Sequence, residues 1–184
     1  LILPCAMSPA LIGGSWRFMV QPDFGLFKAF FDVLIPPLAD MDWLGDTTLA
    51  MVALVGSDVW HWTPYLTLVL IGGLATVPQD AREAAMIDGA GSWRVFMDVT
   101  LPSILPVLAV CLVLKTIFSL KMFDQVYMLT NGGPGNSTQT LAHYIYFNGF
   151  KYYNMGYASA VSYLLVIPMF GLTWIYMKLV FLKK

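Results

Sequence analysis

Glu83-Ala84-Ala85-Met86-Ile87-Asp88-Gly89-Ala90-Gly91 lies between two long apolar runs, and its reading decides the fold. Just upstream, Thr76 and Gln79 have the S/T-x-x-E/Q spacing of a capping box, and Pro78 stands where a first helical turn tolerates a missing N–H. A helix is predicted to begin there. Ala81, Ala84, Ala85 and Asp88 recur at i, i+3, i+4 and i+7, so one helical face carries small side chains that another surface can approach closely. Gly89 suits the left-handed residue that closes a helix. Ser92 is placed to cap a second short helix through Trp93, Val95 and Phe96, before Pro102 opens the next apolar run. The stretch therefore reads as helix, glycine turn, helix.

Outward from it the chain is apolar. Of its 184 residues, 58% are hydrophobic and 11% charged, and the mean hydropathy of +0.70 exceeds what a soluble domain's surface can carry. Crossing a hydrocarbon core of roughly 30 Å takes about 20 residues of helix, which satisfies its own backbone groups where water is absent. Four runs are long enough, at residues 1–20, 49–77, 101–127 and 156–182, with a connecting loop at 78–100. The expectation is an all-α, polytopic transmembrane helical bundle forming one domain over 1–184. A net charge of −1 gives no basic face for nucleic acid. Cys5 and Cys111 fall inside apolar runs and read as small core hydrophobes. The chain opens on Leu1 in mid-run, without an initiator Met or a charged leader, and reads as truncated at its N-terminus.

Two spans carry polar and aromatic stripes. Asp58, His61, Trp62 and Tyr65 stand at i, i+3, i+4 and i+7, collecting a carboxylate, an imidazole and two rings on one face. A charge at mid-membrane costs about 2.5–3.5 kcal/mol on insertion scales, so Asp58 is expected to face the bundle interior, water or the outer interface. Lys115, Phe118, Ser119 and Met122 repeat the spacing on the next span. At 1.5 Å per residue, both stripes lie about 20–25 Å from the inner ends of their helices. Rings packing on sugar C–H faces beside polar groups for hydroxyls would suit a solute pathway. The competing reading is an interfacial aromatic belt of Trp60, Trp62 and Tyr65, with Lys121 and Asp124 as a local ion pair. Metal binding is not expected, since His143 is the only other histidine.

Three further segments are legible. Pro22, Gly25, Pro36, Pro37 and Gly45 place turns around a short interfacial helix near 27–34. Asn131-Gly132-Gly133-Pro134-Gly135-Asn136-Ser137-Thr138 is a loop of turn formers, and its glycines lack the lysine of a P-loop. Residues 140–150 are predicted as a short aromatic helix at the outer interface.

The pattern Glu83-Ala84-Ala85, Gly89 and Leu101-Pro102, flanked by apolar spans, resembles the cytoplasmic coupling loop of membrane-spanning subunits of binding-protein-dependent ABC importers. Ile87-Asp88-Gly89-Ala90 matches the form common in sugar permeases, and the Asn131 loop after Phe123-Asp124 is similar to that of the maltose-type first permease subunit. The resemblance covers nearly the whole chain and implies the type I importer transmembrane fold, with two further spans before this sequence begins. It implies a sugar or oligosaccharide as substrate, a second permease subunit, two ATP-binding subunits and an external solute-binding protein. The setting is a bilayer, the bacterial inner membrane, with the loop and C-terminus cytoplasmic. Lysines and arginines agree modestly: Arg82, Arg94, Lys178, Lys183 and Lys184 fall inside, against Lys28, Lys151 and the borderline Arg17 outside. The loop from 21 to 48, with Asp23, Asp32, Asp40, Asp42 and Asp46, then lies outside.

By the same resemblance, Glu83, Ala84, Ala85, Asp88 and Gly89 form the ATPase contact, and Asp58, Ser119 and Met122 occupy positions where the maltose-type subunit carries sugar-contacting asparagines. The location carries over, and the sugar does not. No Walker lysine motif is present, so the chain is expected to be no enzyme by itself and to bind no cofactor, with ATP and magnesium on the partner ATPase. Alternatives are a permease for a non-sugar solute, an ion-coupled secondary transporter using Asp58, Lys115 or Asp124, and a purely structural membrane subunit.

Overall fold

A computed structural model describes residues 2–35 and 41–181. Pro36, Pro37 and Asp40 of the acidic loop, and Lys183 and Lys184, lie outside the described residues. The helices run in the order α1 (Leu3–Ala6), α2 (Pro9–Met19), α3 (Leu26–Leu34), α4 (Thr47–Ala75), α5 (Gln79–Ile87), α6 (Ser92–Val95), α7 (Leu101–Leu120), α8 (Asp124–Leu129), α9 (Leu141–Tyr146) and α10 (Met155–Phe181). Two π-helical turns intervene, Phe96–Thr100 and Phe147–Lys151. They pack as two units, one of Leu1–Pro64 with Phe118–Val166 and the other of Tyr65–Ile117 with Ile167–Lys184.

In the first unit, the run read as the first span is interrupted. Met7 and Ser8 are extended, and Ser8 accepts from the Leu11 N–H, so α2 begins afresh with Pro9 at its first position. Eleven residues rise only about 16 Å, half a hydrocarbon core. α2 instead packs on α8 at very short range. A Cβ at Gly13 would meet the Gln125 carbonyl and Met128 Cβ, each at 3.0 Å. Val20, Ala53, Leu54, Val126 and Leu129 form the core here, with Trp16, Phe27 and Trp43 packed against it. α3 is held through Phe27 and Phe31, which ring-pack on Trp16 and Trp43. Asp46 starts α4, its Oδ1 accepting from the N–H groups of Thr48 (2.8 Å) and Leu49 (2.9 Å).

The second unit holds the glycine turn. Thr76 does not form the capping box: its hydroxyl donates to the Gly73 carbonyl at 2.7 Å, because it still sits on the last turn of α4. Pro78 is the N-cap residue of α5. The closing turn agrees with the sequence, since Gly89 has φ of 81°. Its N–H reaches the Met86 carbonyl and that of Ala90 reaches Ala85, the paired bonds of a Schellman motif. Gly91, not Ser92, is the N-cap residue of α6. From Ser92 the helix continues to Leu120. It passes Pro102 through the π turn, whose wider ring of carbonyls relieves the clash a proline makes four residues back. Ser92–Leu120 and Met155–Lys178 are long and apolar enough to cross a membrane.

α7 ends at Leu120 rather than near Tyr127. Residues 121–123 form a turn, and α8 follows as a separate helix. Asn131, Gly132, Gly135 and Asn136 all have positive φ, as the density of turn formers predicted.

Candidate functional site

α5 is exposed along nearly its whole length, with Ala85 half-buried and Glu83, Ala84, Asp88 and Gly89 at the surface. Among the described residues Glu83 makes no ion pair or hydrogen bond, so its carboxylate is available to a partner. Large apolar side chains follow it in the chain. Ile87 is 85% exposed and Trp93 71%, and the Trp93 ring stacks on Phe96 with centroids 5.9 Å apart. Arg82, Met86, Ala90, Ser92, Val95 and Phe96 line much of a cleft of about 570 Å³ beside the turn. An exposed acid on a helix of small side chains, with exposed hydrophobes after it in the chain, has the composition of a docking surface.

The polar stripe gathers in the first unit. Asp58, His61 and Trp62 of α4, with Phe118 of α7 and Met122 just beyond it, line a cavity of about 220 Å³. Trp62 packs on Phe118 at 4.8 Å between centroids, and His61 on Trp62 at 5.5 Å. His61 is buried, and Asp58 half-buried. Tyr65 and Ser119 do not join the lining. Tyr65 stands about 10 Å along the axis from Asp58, and Ser119 is exposed. Trp60 and Trp62 part ways, for Trp60 pairs with Trp16 at 6.4 Å between centroids while Trp62 lines the cavity.

Lys121 and Asp124 also line the cavity, and they form no ion pair with each other. The Lys121 ammonium sits 4.5 Å from the Phe118 ring centroid instead, a cation–π contact. Pro9, Phe123 and Gln125 complete the lining and were not singled out from sequence. Gln125 is 2% exposed, and its amide nitrogen has no hydrogen-bond partner among the described residues. The one available signal was the charged interruption of an apolar run at Lys121-Met122-Phe123-Asp124, where α7 stops. A carboxylate, an ammonium, a buried amide and two tilted aromatic rings in contact can bind a polyhydroxy solute by hydrogen bonds and C–H packing.

Residues 3–180 match the model of the family described as "Binding-protein-dependent transport system inner membrane component". Among curated proteins, the chain is 38% identical over 181 residues to the trehalose/maltose transport system permease protein MalF of Thermococcus litoralis, covering 97% of this chain and 59% of that protein. It is 31% identical to the sulfoquinovosyl glycerol transport system permease protein SmoG of Agrobacterium fabrum, covering 98% of this chain and 58% of that one. The chain thus spans about three-fifths of the length of these relatives. A crystal structure of a bacterial ABC transporter involved in the import of the acidic polysaccharide alginate aligns with a TM-score of 0.83 at 20% identity, over 97% of this chain and 62% of that one, a likeness of fold. With a match over residues 3–180 and 38% identity over 181 residues to a permease protein, this chain belongs to the binding-protein-dependent transport system inner membrane component family.

Proposed function

We propose that this chain is part of a transmembrane permease subunit of an ATP-driven ABC importer, carrying a sugar or oligosaccharide through the inner (plasma) membrane. The observation that carries the reading is α5 itself: an exposed helix with an unpaired Glu83, closed by a left-handed glycine and running by way of Ser92–Leu120 into an apolar helix of membrane length. Such a rigid element can transmit a push from a docked ATPase to the membrane. Glu83 pairs with a basic residue of the ATPase, while Ala84 and Ala85 permit close approach. Residues 78–100 and the C-terminus are cytoplasmic, and the chain crosses the membrane more than once within a single transmembrane domain. A second permease, two ATPase subunits and a solute-binding protein complete the importer, and ATP with magnesium is held by the ATPases alone.

The cavity at Asp58, His61, Trp62, Phe118 and Met122 lies on the solute path. Sugar permeases among the relatives support the solute class.

Crosslinking from Ala85→Cys in native membranes, with mass spectrometry of the adducts, tests the central claim. An ATP-binding protein is the expected adduct, lost on adding nucleotide or on Glu83→Lys. Labelling of Ala85→Cys from outside the cell, or no ATPase adduct in an assembled complex, would overturn it.

A further inference from the structure

The first unit contains a second cavity, also of about 220 Å³, whose chemistry differs from that at Asp58. Its polar lining is made of side-chain amides, Asn131, Asn136, Gln139 and Asn148, and no carboxylate, ammonium or guanidinium is among the residues that line it. The remainder is aromatic: Phe147, Tyr144, Tyr152 and the His143 imidazole. Phe147 lies edge-on to Tyr152 at 6.5 Å and packs against His143 at 4.5 Å, so the rings form a continuous wall.

Two of the amides are committed to the fold and two are not. Asn148 Nδ2 donates to the Tyr144 carbonyl at 2.9 Å, and Gln139 Nε2 lies 3.4 Å from His143 Nδ1. Asn131 and Asn136, with φ of 51° and 65°, are held in left-handed turns, and neither side chain is hydrogen-bonded among the described residues. Each offers a donor and an acceptor together, the pairing a hydroxyl needs. The His143 ring is packed into the wall of the cavity, with its Nε2 closed off from it. It is 2% exposed, and with Gln139 donating to Nδ1 its ring proton belongs on Nε2, an atom with no partner among the described residues. Burial pushes this imidazole below its usual pKa, so at neutral pH this part of the wall is uncharged.

A charged ligand would lose hydration here and meet no opposite charge. A neutral polyhydroxy ring meets free amides and aromatic faces. The volume falls below the roughly 300–1,000 Å³ of sites for drug-sized ligands and suits one small ring. We infer that the cavity between the Asn131 loop and α9 is a second solute site, taking a single neutral sugar unit separately from the charged cavity at Asp58. Its place on the entry side of the membrane rests on the importer reading.

The test uses the assembled transporter in membranes, with Cys5→Ser and Cys111→Ser as background. Asn136→Cys is labelled with a membrane-impermeant maleimide, without binding protein, in the presence of maltose or of glucuronate. Maltose is expected to slow labelling by about threefold or more, glucuronate far less, and Tyr152→Ala to remove the protection. In parallel, Asn136→Gly keeps the left-handed turn while deleting the amide. It should raise the apparent KM for maltose uptake about two- to tenfold at unchanged kcat, the loss of one hydrogen bond. Labelling indifferent to maltose in membranes that still take it up overturns the site and leaves the importer reading intact. Failure of Asn136→Cys to label in the assembled complex also overturns it, because protein then fills the cavity. Protection by maltose without ATP-driven uptake would keep the site and refute the importer reading.

Discussion

The exposed segment at residues 78–100 and the Asp58 cavity are built in opposite ways. Residues 78–100 are contiguous, largely exposed and shaped by local rules: a proline before the helix, a left-handed glycine after it, small side chains between. The cavity draws Pro9, residues 58–62 and residues 118–125 from three distant parts of the chain, and it exists only because α7 stops at Leu120 and α8 packs on Gly13. A surface made for another protein can be written in one stretch, since the partner supplies the missing packing. A cavity for a small solute must supply its own walls.

That contrast can be broken most forcefully at Glu83. Charge reversal in Glu83→Lys puts like charges together at the proposed contact, where loss of a close charge pair costs about 2–5 kcal/mol. Solute uptake should fall at least tenfold while the protein still assembles, as judged by uptake per ATP hydrolysed in reconstituted membranes. Retained full coupling would remove the docking role.

Gly13→Ala probes the assembled region from outside its lining. A Cβ there would have to displace Gln125 backbone and Met128, and overpacking of this kind costs about 1–3 kcal/mol. Thermal stability in detergent should drop, and solute affinity with it, although Gly13 does not line the cavity. Unchanged affinity would show that the cavity does not depend on the α2–α8 contact.

At Gly89 the space is open but the backbone is not, for a Cβ meets nothing within 4 Å while φ is 81°. Gly89→Ala should cost about 1–2 kcal/mol through conformation alone, and Gly89→Asn less. The yield of the Ala85→Cys crosslink should follow that order. Equal yields from both variants would mean that the turn is not what presents α5.

Trp62→Ala removes one half of the ring pair with Phe118, worth about 0.5–1.5 kcal/mol beyond area burial. Solute KM should rise by about two- to tenfold, while Trp60→Ala, which touches Trp16 instead, leaves KM nearly unchanged. Equal effects would favour an interfacial belt over a pocket.

The smallest effect is on pH. Burial holds the folded His143 pKa below its unfolded value of about 6.5, so unfolded chain binds more protons between the two. The stability it contributes is therefore present above about pH 6.5 and is lost as pH falls through the lower folded value. Proteolysis of residues 131–154 should quicken on moving from about pH 7.5 to about pH 5, and His143→Gln should flatten that dependence.

Much of this was legible in the sequence, and particular residues show where legibility stopped. The helix–glycine–helix reading held because Gly89, Ala90 and Ala85 interact within one turn. The Thr76 cap failed for an equally local reason, since its hydroxyl found the Gly73 carbonyl first. Asp58, His61 and Trp62, grouped by helical spacing, line one cavity. Tyr65 and Ser119 do not line that cavity, because sharing a helical face does not mean sharing a cavity. Gln125 and Pro9 carried no periodic signal at all.

What the sequence by itself determined is whatever follows from composition and short-range spacing: an apolar helical chain, a glycine-closed exposed helix, a turn-rich loop and the family to which they belong. Tertiary structure alone decided which polar residues face one another. That choice depends on how closely α8 approaches Gly13, which is set by packing between residues more than a hundred positions apart, beyond the reach of any local pattern.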